Sequence, residues 1–232
     1  MTDPFNGFPK RCVEFLVELA ANNNREWFAE HKQDFDESVM EPARQFVVAM
    51  GEALHDFAPG VAAEPRVDRS IFRIYRDVRF SKDKSPYKTN LGLWFWEGDL
   101  PRKECSGFYF HLEPPTLMLA VGTHMFGKET LAEYRKSVVH PEFSVQLSDA
   151  IDVVTDGPYT IGGKHYKRVP RGFDPNDENS DLLRHNSLYA ATEIAIPDEF
   201  YSPDIIAFCA TKYSDMSPIH KWLVGLTGRV SR

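Results

Sequence analysis

Cysteine is scarce: three residues in 232, at positions 12, 105 and 209. They are odd in number and far apart. They build neither a disulfide framework nor a CxxC metal knuckle, which fits a reducing, cytoplasmic setting. Unbroken apolar runs are short. Leu117 to Val121 and Ile205 to Ala210 stop far below the roughly 18 residues of a membrane span. The N-terminus lacks a basic start followed by an apolar stretch, so no signal peptide is read and no membrane partner is expected. HxxxH, HxH, CxxC and EF-hand spacings are absent, so no metal is expected. GxxxxGK[ST], GxGxxG and GxSxG are absent too, and no cofactor is expected. Gly162-Gly163-Lys164 lacks the first glycine and the helix start that a phosphate loop needs. Cys105, beside Ser106-Gly107, has no base marked for it by any spacing.

What is present is the material of a folded globular chain: 42% hydrophobic, 26% charged and 13% aromatic residues. Disorder, collagen-like repeats and coiled coil are excluded. The net charge of −7 is unevenly spread. Arg66 to Asn90 holds eight cations against three acids, a net +5, and Lys164 to Arg171 holds four cations and no acid. The remainder therefore carries −16. An acidic body with two basic segments points to a local anion-binding surface, and argues against a protein coated in positive charge for nucleic acid.

Helical spacing marks both ends of the chain. Phe8, Cys12, Phe15 and Leu19 form one stripe. Asn23 and Glu26 read as the capped start of a second helix, with Phe28, His31, Phe35 and Val39 on its face. Pro42 suits the first turn of a third, closed by Pro59-Gly60. The middle reads as strands: Ile71 to Tyr75, Leu91 to Trp96, Phe108 to Leu112 and Leu117 to His124, with Ser187 to Ile196 later. Between the last two groups come helices around Leu131 to Val138 and Phe143 to Val154. Gly157 to Gly163 reads as a loop. The chain closes with helices near Pro203 to Tyr213 and Pro218 to Leu226. Short connections favour antiparallel pairing. The expected fold is α+β, a mainly antiparallel sheet of four to six strands covered by helices from both ends of the chain, in a single domain over 1–232.

The segment from Arg73 to Asn90 carries the chemistry. Extended backbone puts Arg73, Tyr75, Asp77 and Arg79 on one face, and Phe72, Ile74, Arg76, Val78 and Phe80 on the other. Arg76 then needs a carboxylate partner, because an unpaired buried charge is costly. Arginine offers a planar fork of donors that suits carboxylate and phosphate oxygens. Lys82, Lys84, Tyr87 and Lys88 follow in a loop with Ser85-Pro86. Lys167, Arg168 and Arg171 form the second basic group, beside Arg184-His185 at the end of a short helix. The two groups are expected to line one cleft. Candidate acid–base residues are Asp77, Asp83, His111 and Glu113. Carboxylates among arginines are poor proton donors, so Asp77 and Asp83 read first as structural partners. His111 and Glu113 share a strand face and suit a general base.

The string RIYRDVRFSKDKSPYKTN, with FLVELAANNNREWFAEHK before it and GFYFHLEPP and KRVPRGFDP after it, resembles the DUF2461 family of uncharacterised proteins. The resemblance covers about Phe8 to Trp222. It implies a widespread cytosolic domain and supplies no catalytic residues. The reading of function rests on the residues: an anionic small molecule, bearing phosphate or carboxylate, bound by Arg73, Arg76, Arg79, Lys82, Lys84, Tyr87, Lys88, Lys167, Arg168 and Arg171, with metal-independent chemistry open to it. Whether the protein is an enzyme stays undecided at this point. The alternatives are a nucleic-acid module using the same cations with exposed aromatics, and a protein-interaction domain.

Overall fold

The computed structural model describes residues 4–230. Helix α1 spans Lys10–Ala21 and α2 spans Arg25–Glu30. The next helix begins as α3, Lys32–Phe35, widens into a π turn over Asp36–Met40, and continues as α4, Glu41–Leu54. The wide turn immediately precedes Pro42, which has no N–H to give the preceding carbonyls. Strands β1 (Val61–Ala62), β2 (Leu91–Glu97), β3 (Ser106–Glu113) and β4 (Thr116–Thr123) follow, then α5 (Lys128–Val138) and α6 (Pro141–Thr155). Strands β5 (Thr160–Lys164) and β6 (His185–Ala195) precede the long α7 (Ile205–Val230). The six strands form one antiparallel sheet in the order β1-β2-β3-β4-β6-β5. This is the expected α+β class. Among the described residues no helix is long and apolar enough to cross a membrane.

The chain divides into two compact units, and β2, β3, β4 and β6 each give part of their length to either one. The first unit holds residues 4–95, Tyr109–Leu119 and Glu193–Thr211. Its core is aromatic. Phe8 stacks on Phe200 with centroids 4.7 Å apart and sits beside Phe46 and Phe110. Phe15 meets Trp27, Phe28 and Phe35. Gly7, at φ 98°, lets the chain reach this cluster: a Cβ there would lie 2.5 Å from the Ser202 backbone nitrogen. The second unit holds Trp96–Phe108, Ala120–Thr192 and residues 212–230. Its core gathers Phe108, Tyr134, Tyr213 and Leu223, all fully buried. The Trp222 indole donates to the Phe143 carbonyl at 3.0 Å.

Period-2 burial explains the strands. Phe108, Phe110 and Leu112 of β3 and Leu117, Leu119 and Val121 of β4 are completely buried. The alternate β3 residues Tyr109 and His111 are half-buried, and Glu113 is exposed. That second face is where polar chemistry is available.

Four local expectations change. Ile71 to Tyr75 is not a ladder strand but an arm held by isolated bridges, Ile71 to Leu93 and Tyr75 to Tyr87. The capping residue of α2 is Asn24, whose Oδ1 accepts from Trp27 N at 2.9 Å; Asn23 is used elsewhere. The C-terminal stripe is one helix through Pro218, not two. The proline removes one backbone bond, but Met216 and Ile219 on either side of it are fully buried, as are Leu223 and Leu226 beyond, and that packing offsets the loss. Finally, the stretch Gly157 to Gly163 runs into β5. Its glycines erase the side-chain signal of a strand. Gly162 pairs with Tyr189 on β6, and a Cβ at 162 would come within 2.3 Å of the Tyr189 ring.

This last contact is testable. Gly162→Ala is expected to cost about 1–3 kcal/mol in a denaturant melt, the usual size of an overpacking penalty. In a Tyr189→Ala background the same change is expected to cost markedly less. Equal costs in both backgrounds would show that the ring does not set the requirement for glycine.

Candidate functional site

The basic arm is built from backbone bonds first. Trp94 N donates to Ser70 O at 2.8 Å, and Phe72 N to Gly92 O at 3.0 Å, laying the outgoing leg along β2. Arg76 N to Pro86 O (2.9 Å) and Lys88 N to Ile74 O (2.8 Å) tie the returning leg to it. Along the outgoing leg Arg73, Tyr75, Asp77 and Arg79 are exposed, while Phe72, Ile74, Arg76 and Val78 are half-buried. The return leg is pinned to the helices by Asn23. Its amide donates to Tyr87 O at 3.0 Å and accepts from Tyr87 N at 3.1 Å. The Tyr87 ring is buried and stacks on Phe28 at 4.1 Å, so it anchors the arm.

Both acids of the arm are engaged by arginines of the arm. Arg76 donates to Asp83 at 2.5 Å and to the Ser85 carbonyl at 3.3 Å. Asp83 also accepts from the Ser85 N–H and hydroxyl, and these bonds, with Arg76, hold its carboxyl far below the usual range. Arg79 grips Asp77 through Nε (3.0 Å) and a terminal nitrogen (2.7 Å), lowering Asp77 to about 2. Both carboxylates stay ionised near neutrality, so neither can serve as a proton donor there. Lys84 donates to the Val78 carbonyl at 2.9 Å. Arg73 and Lys82 stand exposed.

At the arm's base, the expected His111–Glu113 pair forms. His111 Nε2 lies 3.4 Å from Glu113 Oε2. Its Nδ1 lies 2.8 Å from the Tyr109 hydroxyl and 3.3 Å from Asn90 Nδ2. Tyr109 and Asn90 both have hydrogens to give, so the network assigns Nδ1 as acceptor and puts the ring proton on Nε2, facing Glu113. Burial, with Glu113 a smaller cause, raises Tyr109 to about 12, so the phenol remains a donor. Thr89 donates to the other Glu113 oxygen at 3.4 Å, and Lys88 Nζ sits 5.4 Å over the Phe72 ring. The arm thus ends on the His–Glu pair, a convergence that the spacing of 73–90 and 109–113 did not announce.

The second basic group belongs to the second unit. Lys167, Arg168 and Arg171 are exposed, and none has an ion pair among the described residues. Arg184 ends a short 3-10 turn, Leu182–Arg184, and acts as a tether: it bonds Asp181 at 3.0 Å and the Tyr166 carbonyl at 3.1 Å. Lys164 joins the same Asp181 at 2.6 Å.

Sequence reasoning missed one constellation. Ser106 Oγ lies 2.9 Å from His220 Nδ1, and His220 Nε2 lies 2.8 Å from Glu97 Oε2. A hydroxyl, an imidazole and a carboxylate in line suggest a nucleophile. Ser106, however, has no exposed surface and His220 is 1% exposed, against the Phe108 ring. Shut away from any substrate, the chain of bonds acts as a latch between α7 and the ends of β2 and β3. No motif could reveal it, since 97, 106 and 220 share no local pattern. Cys105 is equally inert: it is buried, and burial pushes its thiol up to about 11. Among the described residues no group of three or more His, Cys, Asp and Glu side chains gathers as a metal cluster would.

A family model described as "Conserved hypothetical protein (DUF2461)" matches residues 11–222. The chain belongs to this family. The DUF2461 match takes in the arm, the His111–Glu113 strand, the second basic loop and His220. No curated protein matches the chain.

Two outcomes follow for this DUF2461 protein. His220→Ala is expected to lower stability by about 1–3 kcal/mol, the usual cost of leaving a buried hydrogen-bonding group without its partner. Urea unfolding checks it, and a loss below about 1 kcal/mol, the worth of an exposed pair, would reduce the latch to a surface contact. His185 supplies a pH test. Burial holds its pKa below 6.5, with Lys164 and Arg184 acting in the same direction and Asp181 and a Ser187 backbone bond opposing. The unfolded chain therefore takes up this proton first, and stability is expected to fall as pH drops below about 6.5. His185→Gln should flatten that slope. The held-down carboxylates Asp77 and Asp181 act at lower pH, below the ordinary carboxylate range.

Proposed function

We propose that the protein binds an anionic small molecule, bearing phosphate or carboxylate, at the base of the basic arm. In this reading Glu113, held by the Nε2–H of His111, accepts a proton from the bound ligand, and cations of the arm hold its negative charge. The observation that carries the reading is the meeting of Thr89 and Asn90, at the end of the basic segment, with Glu113 and His111. Lys88, over the Phe72 ring that meets Tyr109 edge-on, supports placing a cation beside this acid–base pair. Arg73 and Lys88 are the cations assigned to the ligand. Arg76, Arg79 and Lys84, engaged within the arm, shape it. Asp77 and Asp83 are assigned to this bracing, not to proton transfer. The reading keeps Lys167, Arg168 and Arg171 as anion-binding residues of the second unit. A cytoplasmic setting is part of the proposal, supported by three cysteines held as free buried thiols.

The test is ligand-linked stability. Phosphate or a phosphate ester should raise Tm by an amount that grows with ligand concentration over Kd, and the rise should weaken with neutral salt. Arg73→Ala and Lys88→Ala should each remove most of the rise. Phosphate also stabilises proteins as an excluded salt, but that contribution persists unchanged in both variants. Equal rises in wild type and both variants would overturn the proposal.

A further inference from the structure

The far end of the same arm presents a different feature. Phe80 is 96% exposed, by a wide margin the most exposed large apolar side chain described. Arg79 lies over its ring at 5.9 Å. Tyr75, on the outgoing leg, is 56% exposed. Between Arg73 and Lys88 six cations face two acids, a net +4. The tip is also braced: the Arg76–Asp83–Ser85 bonds, Lys84 to Val78 O and Ser81 N to Val78 O hold its backbone from within. A loop ordered in advance loses little freedom on binding. Burying a phenylalanine ring is favourable, a gain this ring forgoes in the isolated chain.

We propose that the tip of the arm docks single-stranded nucleic acid, with Phe80 and Tyr75 as stacking surfaces for bases and the exposed Lys82 and Lys84 as phosphate contacts. Alternating open rings and cations along an extended, positively charged segment are what sequence-tolerant strand binding requires, because every base has a π face and every linkage a charge. The acidic remainder of the chain confines contact to the arm. A bilayer is the poorer fit: one apolar side chain at the tip is a single weak anchor, and Tyr75 stands partway back along the arm, where an inserted tip would not carry it. The docking site lies at the opposite end of the arm from the His111–Glu113 pair and does not rest on the small-molecule reading.

Fluorescence anisotropy of a short labelled oligothymidine at low salt tests the proposal. Wild type is expected to give a saturable rise. Its log affinity should fall with log salt at a slope of about −1.4, for two phosphates at about 0.7 each. Phe80→Ala should weaken binding by roughly 5- to 150-fold, the worth of one stacked base, with an unchanged melting temperature, since the ring touches little of the fold. Phe80→Trp should retain binding, and Phe80→Leu should lose most of it. Absence of a wild-type rise at low salt overturns the proposal. So does a Phe80→Leu variant that binds like wild type, or capture on phosphatidylserine vesicles without binding to the oligonucleotide. The phosphate-dependent rise in Tm should be the same in Phe80→Ala as in wild type. Failure at Phe80 therefore condemns this site alone, and failure at Lys88 the small-molecule site alone.

Discussion

The candidate site depends on one side-chain amide. Asn23, in the gap between α1 and α2, meets both the N–H and the C=O of Tyr87, as a neighbouring strand would. A long segment crowded with like charges does not fold back by itself, because its cations repel and its backbone groups prefer water. Two hydrogen bonds at one residue, with the Tyr87 ring stacked on Phe28, fix where the return leg lies. Once Tyr87 is fixed, Lys88 bonds Ile74, and Thr89 and Asn90 arrive at Glu113 and His111. The approach of Thr89 and Asn90 to the candidate acid–base pair is therefore set from the gap between the first two helices.

The charges divide by what they do. Arg79–Asp77 and Arg76–Asp83 are exposed or half-exposed pairs, and such pairs contribute on the order of 0–1 kcal/mol. Their effect is on shape: each braces the backbone of the arm from within. Arg184 and Lys164 are used in the same way on Asp181. The cations assigned to ligands in the proposed readings are Arg73, Lys82, Lys84 and Lys88 in one unit and Lys167, Arg168 and Arg171 in the other.

Two constellations contain a histidine between an oxygen donor and a glutamate, and burial separates them. Around His111 the glutamate is largely exposed and the ring is partly open. Around His220 the serine and the ring are sealed beneath apolar side chains. The same three functional groups can move a proton in the first place and can only hold structure in the second. Geometry without access does not make an active site.

Much of this was legible in the sequence. Short runs rich in aromatic and aliphatic residues over Leu91 to Trp96, Phe108 to Leu112 and Leu117 to His124 are a local signal of strands, and β2, β3 and β4 lie there. The helical stripes at both ends, the two faces of the arm and the need of Arg76 for a carboxylate follow from equally local rules. Tertiary contacts decided the rest. Gly162 is a strand residue because Tyr189 lies over it, and a glycine carries no pattern of its own. Pro218 stays inside a helix because buried neighbours on both sides outweigh one missing hydrogen bond. Tyr87 turns inward because Phe28 and Asn23, about 60 residues earlier, receive it. The Glu97–His220–Ser106 latch joins positions whose partners lie more than a hundred residues apart. Periodicity reports which way a side chain points; which residue it meets there is settled only when distant segments of the chain come together.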